Sequence, residues 1–306
     1  MKKVLKAAIL LFFGIWSASA QQESQYTQYM YNTMTFNPGY TGSREIPTAM
    51  GLYRTQWIGL DGAPKTMNFS IQSPVGMHSG LGLNVVSDKI GPTTSTGATL
   101  NYSYTIYGST DVKYSFGISG GFNNFDVDYT KLKMQNPNDP YMSGQVSKFS
   151  PNVGVGFYIH SYNWYVGLSS PQLLRTSYYN DVKGKETTYS SKSHVYLIGG
   201  YVFDLNPYLK FKPAALIKAV PGAPIAVDVS ANFLFNDKFT IGAAYRWDAA
   251  VSALAGFQVT DGIQIGYGYD YDTSNIGNYN SGSHEIFLRF DLINRSKSRL
   301  VTPRFF

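Results

Sequence analysis

From residue 22 onward, apolar and polar positions alternate with a period of two. Residues 152–159 set Val153, Val155, Phe157 and Ile159 on one face, against Gly154, Gly156 and Tyr158. Residues 225–235 group Ile225, Val227, Val229, Ala231, Phe233 and Phe235 opposite Asp228, Ser230 and Asn232. The same pattern returns in residues 240–248, 263–271 and 285–291. Such alternation marks strands lying between one apolar and one polar environment. Candidate strands fall at 48–58, 65–73, 79–87, 96–107, 111–124, 150–159, 163–169, 191–203, 207–219, 225–235, 238–248, 251–259, 263–271 and 281–291. Their length of about ten residues is what a tilted strand needs to cross a bilayer.

The connections sort into two kinds. Those at 108–111, 160–163, 204–207, 236–238 and 260–262 are short and polar. The alternate set contains the long links at 88–95, 125–149, 170–190 and 272–280, with one short exception at 248–250. This sorting predicts an all-β transmembrane antiparallel barrel of about 14 strands, with short periplasmic turns and longer extracellular loops. A soluble sandwich gives no reason for it. A charge on the lipid face costs about 2–4 kcal/mol at mid-bilayer. Asp228, Arg246, Glu285 and Arg289 are therefore expected to form a polar network in the lumen, with the apolar rows facing lipid. Asp228 and Arg246, on neighbouring strands, are expected to pair. Trp57, Trp164, Trp247 and Tyr267 suit the interfacial girdles.

Composition supports this reading. Only 14% of the 306 residues are charged, against about 25% in ordinary soluble domains. Aromatics reach 16%, and there are 30 glycines. A mean hydropathy of −0.17 excludes a bundle of membrane helices. The absence of cysteine excludes disulfides, Cys-ligated zinc and a thiol nucleophile. At the start of the chain, Lys2, Lys3 and Lys6 precede an apolar run over residues 7–16 and the small-residue site Ala18-Ser19-Ala20. This predicts a signal peptide over 1–20 and export to the outer membrane. Its loss lowers the formal charge from +6 to +3, with 22 basic residues against 19 acidic, which leaves no case for nucleic acid.

Little in the sequence speaks for catalysis, a cofactor or a metal. Gly117-Ile118-Ser119-Gly120-Gly121 matches GxSxG, but it lies in a predicted strand and not at a strand-to-helix elbow. His284-Glu285 lacks a second histidine and is read as a hydrogen-bonding pair in the lumen. The pairs Asp126/Asp128 and Asp270/Asp272 lack further calcium ligands and are read as solvated loop carboxylates. Gly80/Gly82 and Gly154/Gly156 do not extend to GxGxxG and are read as strand glycines that permit close packing.

Residues 21–47 form a periplasmic N-terminal segment in this reading. Tyr26, Tyr29, Met30 and Thr33 recur at helical spacing, so a short amphipathic helix capped by Ser24 is one expectation, ending before Asn37-Pro38. It would plug the lumen or lie at the periplasmic mouth; an unstructured terminus is the alternative. The barrel spans 48–291. Residues 292–306 form a basic periplasmic tail with Arg295, Lys297, Arg299 and Arg304.

Several motifs run in order along the mature chain: Gln28-Tyr29-Met30, Asn37-Pro38-Gly39-Tyr40-Thr41-Gly42, Arg54-Thr55-Gln56-Trp57 and Asp61-Gly62-Ala63-Pro64-Lys65-Thr66. Gly80-Leu81-Gly82, Asp88-Lys89-Ile90-Gly91-Pro92, Tyr165-Val166-Gly167-Leu168-Ser169, Gly199-Gly200-Tyr201 and Lys212-Pro213 follow, then Gly242-Ala243-Ala244-Tyr245-Arg246 and Gly282-Ser283-His284-Glu285-Ile286. With them the chain resembles the PorP/SprF family of type IX secretion system membrane proteins of Bacteroidetes. Gly39 stands where that family commonly has alanine. The resemblance implies a non-enzymatic outer-membrane barrel that helps secrete or anchor a cell-surface protein, such as a gliding adhesin, through its type B C-terminal sorting domain. It also implies association with other secretion components, including periplasmic peptidoglycan-associated proteins. The barrel pattern alone is equally compatible with a porin or substrate-specific channel.

The long loops interleave Tyr129, Tyr141, Tyr178, Tyr179 and Tyr189 with Lys131, Lys133, Lys148, Lys183 and Lys185. Tyrosine gives large contact area at little entropic cost, and lysine steers acidic partners. These ten residues are the expected partner contacts.

Overall fold

The computed structural model describes residues 25–108, 111–131, 144–174, 177–182, 185–190 and 192–292. The expected signal peptide, the Ser24 cap and the basic tail lie outside these residues. Strands β1 (Thr48–Thr55), β2 (Lys65–Val75), β3 (Ser79–Ile90), β4 (Thr93–Tyr107), β5 (Lys113–Asp128), β6 (Gln145–His160) and β7 (Trp164–Gln172) pair in sequence. A separate hairpin follows, β8 (Ser177–Val182) with β9 (Lys185–Ser190). Then come β10 (His194–Tyr201), the short β11 (Phe203–Asn206), β12 (Leu209–Ala219), β13 (Ala226–Phe235), β14 (Phe239–Arg246), β15 (Ala250–Thr260), β16 (Ile263–Asp272) and β17 (Ser283–Asp291). β1 pairs with β17, and β10 pairs with both β7 and β12, so the sheet closes on itself. With β11 continuing the line of β10, the result is a closed antiparallel barrel of 14 strands.

Closure leaves the sheet with no open edge to cover, the condition for spanning a membrane with strands. Its surface is inverted relative to a soluble protein. Val153, Val155, Val229, Phe233, Ile241, Ile265, Ile286 and Phe290 are exposed on the outside. Polar residues of the strands, among them Asn68, Asn101, Asn232, Ser115, Gln264 and Arg289, are buried inside.

Two expectations about the long-loop rim change. The link expected at 88–95 is largely strand, with β3 and β4 meeting at Gly91-Pro92, and strand also takes both ends of the link expected at 125–149, since β5 runs on to Asp128 and β6 begins at Gln145. Continued pairing satisfies the backbone groups of these extensions without any apolar face to alternate, so periodicity could not reveal them. The expected loop 170–190 contains the β8–β9 hairpin. At the opposite rim the turns are tight. Asn236 and Asp237 both take positive φ, at 51° and 53°, as a type I′ hairpin turn requires.

The N-terminal segment occupies the lumen and not the periplasmic mouth. It forms one helical turn, α1 (Thr33–Phe36), and a 3₁₀ turn (Pro38–Tyr40), in place of the longer helix expected from Tyr26 onward. The stripe Tyr26, Tyr29, Met30 and Thr33 is buried, but so are Thr27, Gln28 and Asn32 between them. A segment enclosed by a barrel has no solvated face, and its main-chain amides bond to the wall instead of continuing a helix.

Candidate functional site

The plug crosses the lumen from the long-loop end down to the start of β1. At its upper end Glu285 accepts hydrogen bonds from the backbone N–H of Thr27 (2.9 Å) and of Gln28 (2.8 Å). Thr27 Oγ1 donates to Asp270 (2.7 and 2.8 Å). Arg54 ties both acids together, 2.7 Å from Asp270 and 3.4 Å from Glu285. Arg54, Asp270 and Glu285 are all about 1% exposed and lie within two residues of the long-loop ends of β1, β16 and β17. Beside them Arg246 Nε lies 2.6 Å from Asp228 Oδ1, and its Nη2 donates to the Tyr26 carbonyl at 3.3 Å.

Lower down, the plug packs by shape. Tyr29 meets Ser230 at 3.2 Å, and Asn32 donates to Asn68 at 3.0 Å. Rings pair at Tyr31–Phe287 (5.0 Å), Phe36–Tyr196 (5.2 Å) and Tyr40–Tyr158 (5.4 Å). Lys212 Nζ stands 5.6 Å from the ring centroids of both Tyr31 and Tyr165, at cation–π distance from each. Asn37 donates to the Phe157 carbonyl and accepts from the Gly39 N–H. The wall opposite is glycine. A Cβ on Gly156 would run into Asn37, on Gly117 into Pro38 and Gly39, and on Gly82 into Met34 and Thr41. At Gly39 itself a Cβ would stand 3.0 Å from Asn37 Oδ1 and 3.2 Å from two wall carbonyls, so alanine fits there only if the neighbours yield slightly. At the bottom, Arg44 bonds Asp291 at 2.8 Å, with Arg289 3.4 Å away on the same carboxylate oxygen.

The sequence-predicted lumen residues thus separate into two groups. Asp228, Arg246 and Glu285 hold the upper plug, whereas Arg289 lies at the lower end. His284 and Glu285 do not form a pair in the lumen. They point to opposite faces, as period two demands, and His284 meets Tyr267 at 2.5 Å on the outside. Asp270 is not a solvated loop carboxylate; it is a buried residue of β16 bonded to Arg54. The GxSxG match lies within β5, with Gly117 against the plug. Arg54, Asp270, Lys212 and Arg44 were not singled out as network members from sequence. Asp270 and Lys212 could have been found from the inward register of their strands; Arg44 lies on no strand, and in β1 the face of Arg54 is shared by Thr48, Met50 and Leu52, which hides it.

Among the expected partner contacts, Tyr129 opens a 3₁₀ turn ending at Lys131, and Tyr129 is half-buried. Lys148 belongs to strand β6 and is half-buried, not a loop residue. Tyr178 and Tyr179 lie in β8 and Lys185 and Tyr189 in β9, with Tyr178 and Tyr189 in register across the hairpin. Lys133, Tyr141 and Lys183 lie outside the described residues.

Above the plug, at the long-loop end, lies a cavity of about 230 Å³. Its floor is Met34, Phe36 and Pro38, and its walls come from β3 to β7 and from Lys192 and His194 at the start of β10.

Comparisons with known proteins agree with this architecture. A family model described as type IX secretion system membrane protein PorP/SprF matches residues 18–290, so the chain belongs to that family. No individual curated protein matches its sequence. Among solved structures, the Ralstonia pickettii toluene transporter TbuX is similar at TM-score 0.52 and 9% identity, over 85% of this chain and 92% of that one. The Acinetobacter baumannii outer membrane protein Omp33 is similar at TM-score 0.48 and 9% identity, over 81% of this chain and 98% of that one. At such identities the likeness to TbuX bears on the fold alone, that of an outer-membrane barrel.

Proposed function

Taking membership of the PorP/SprF family as premise, we propose that this protein is a non-enzymatic outer-membrane receptor. It holds, or helps deliver, a secreted cell-surface protein through that protein's type B C-terminal sorting domain, gliding adhesins being one such class. The observation that carries this reading over that of a porin is the plug. Residues 26–44 fill the lumen with buried contacts from the upper Arg54 cluster to the lower Arg44–Asp291 pair. A barrel closed in this way serves as a docking body and not as a diffusion channel. The long-loop rim faces outward and offers Tyr129, Lys131 and the β8–β9 hairpin to the partner. The short-turn rim and basic tail face the periplasm, where further secretion components bind.

Two measurements test this. In planar bilayers the purified barrel should show no stable conductance; porin-sized open steps would favour the channel. Purification from native outer membrane should bring down one large secreted protein in stoichiometric amount, and its absence would overturn the receptor reading. Orientation is checked by epitope tags at Asn138 and Asp237. The first should be labelled on intact cells and the second should not.

A further inference from the structure

We infer that the upper edge of β6, over residues 145–151, is a docking site for an extended segment of the secreted partner, which adds there as one more strand of the sheet. Resting on the receptor reading, this site specifies the place and the chain conformation in which the partner is held.

Within the bilayer the closed wall has no free edge, but above it β6 outruns its neighbour β7. β5 pairs with β6 without a break from Lys113↔His160 to Asp128↔Gln145, whereas β7 pairs with it only from His160↔Tyr165 to Val155↔Ser170. The last main-chain bond on the β7 side runs from the Leu173 N–H to the Val153 carbonyl, at 2.9 Å. On the β5 side the Tyr129 N–H still bonds the Gly144 carbonyl at 3.1 Å. Main-chain groups of successive residues point to alternate sides of a strand. Even-numbered residues of this stretch therefore face β5, and odd-numbered ones face away. Pairing with β5 thus leaves over the N–H and C=O of Gln145, Ser147 and Phe149 and the C=O of Pro151. None of these groups has a main-chain partner among the described residues, and all four residues are exposed. Pro151 has no N–H to offer, and it sits at a position where the β5 ladder loses nothing by that. Strands β8 and β9 pair with each other and not with β6. Unpaired main chain does not occur in lipid, and about ten residues counted up from His160 already cross the bilayer. The free edge therefore stands in water at the long-loop rim, where a secreted protein arrives.

The main chain sets the class of partner. A row of alternating donors and acceptors over about 20 Å is matched by the backbone of another extended chain; a sugar or a helix cannot follow that repeat. The ladder between β5 and β6 has no register shift, so no bulge turns the edge aside, and a straight, exposed edge is a template for pairing. Side chains add preference to this. On the outward face an added strand lies beside Phe149, which is 66% exposed and stacks on Phe122 at 5.2 Å. An apolar or aromatic residue suits that position. On the lumen face it lies beside Lys148, half-buried and without an ion pair among the described residues. An acidic residue suits that one, since opposite charges on neighbouring strands attract. The partner segment is thus about seven residues long and extended, with an apolar residue next to an acidic one and no proline where its N–H must reach β6.

The test measures how much secreted protein is recovered with the full chain purified from native outer membrane. Ser147→Pro removes one away-facing N–H and puts a ring in its place, while every N–H of the β5 ladder stays. Recovery should fall about tenfold, the effect of one or two lost main-chain hydrogen bonds, and the barrel should keep its heat-modifiable mobility. Ser147→Ala keeps the N–H and should recover the partner at the parent level. Amide exchange on the parent chain gives a second measurement, which holds even where the proline variant fails to assemble. The N–H groups of residues 145, 147 and 149 should exchange fast in the barrel freed of partner and slowly in the complex. Parent-level recovery with Ser147→Pro, an equal loss with Ser147→Ala, or exchange indifferent to the partner would overturn strand addition and leave the receptor reading intact. Slow exchange in the freed barrel would mean that this chain covers its own edge, and would overturn the site. Absence of any secreted protein from the parent preparation would overturn both.

Discussion

The two ends of the plug are held by opposite means. At the upper end, Arg54 lies between Asp270 and Glu285, and these acids also take the Thr27 hydroxyl and two backbone amides. At the lower end, Arg44 and Arg289 share Asp291, and Arg289 Nη1 has no partner among the described residues. Only three residues separate Arg44, at the lower end, from Thr48, where β1 begins, so covalent continuity keeps it in place. The upper end is remote from that attachment. Interactions alone must offset the entropy of ordering it, and the denser set of buried ion pairs and hydrogen bonds is found there, with Arg54 Nε and Gln28 Nε2 the only atoms of those two side chains left without a partner among the described residues.

Arg54→Ala is the strongest way to break this asymmetry. It leaves two acids buried with no cation between them, a change that costs about 3–5 kcal/mol. The unfolding temperature in detergent should fall by several degrees, and amide exchange over residues 26–36 should rise. Conductance should appear as the upper plug detaches. Arg44→Ala is the matching change below. Asp291 keeps Arg289 there, so the loss should be smaller and conductance should stay absent. Equal effects from the two variants would remove the asymmetry.

The next effect down concerns Asp228 and Arg246. Loss of either charge should cost about 1.5–3 kcal/mol, the range for a hydrogen bond to a charged group. Arg246→Ala should cost more than Asp228→Ala, because Arg246 also donates to Tyr26. In thermal unfolding the double variant should lose less than the sum of the singles, and strict additivity would mean that the contact contributes nothing. This pair was legible in the sequence. Both residues stand on polar faces of strands whose outward faces are cleanly apolar, so the alternation gave their direction and adjacency gave their partner. Arg54 was not legible, for a physical reason. Where the plug packs, the lumen face of β1 turns apolar at Met50 and Leu52, while Tyr53 faces out, and the contrast between faces vanishes. The barrel itself was readable because lipid enforces that contrast on almost every strand. In the plug, the helical spacing of Tyr26, Tyr29, Met30 and Thr33 pointed to a segment in the lumen or at its mouth, but Thr27, Gln28 and Asn32 between them are buried too, so the spacing did not give the conformation.

A third comparison sets two glycines of one strand against each other. Gly117 faces the plug, and a Cβ there meets the backbone of Pro38 and Gly39, whereas a Cβ on Gly120 meets nothing within 4 Å. Gly117→Ala should destabilise by about 1–3 kcal/mol through overpacking and should quicken exchange around residues 37–40. Gly120→Ala should be neutral or slightly stabilising. Similar melting temperatures for the two variants would show that the plug can shift away from the wall at little cost.

The smallest effect is expected at Glu45, and its smallness tests the idea that the lower end is held by the chain. Glu45 pairs with Lys113 at the short-turn rim, with the carboxylate 38% and the ammonium 23% exposed. Each charge keeps much of its hydration, so the pair gains little Coulomb energy and pays side-chain entropy; such exposed pairs contribute about 0–1 kcal/mol. Glu45 also holds positive φ, at 60°, and glutamine accepts that backbone no worse than glutamate. Glu45→Gln therefore removes the charge and little else. The melting temperature should move by less than the scatter that separates Arg44→Ala from the parent chain. Whatever shift exists should disappear in about 1 M salt, where screening acts over roughly 3 Å. Exchange over residues 38–44 should be unchanged. A drop as large as that of Arg54→Ala, persisting in high salt, would mean that the lower end depends on its ion pairs, and that the junction with β1 does not by itself keep the plug seated.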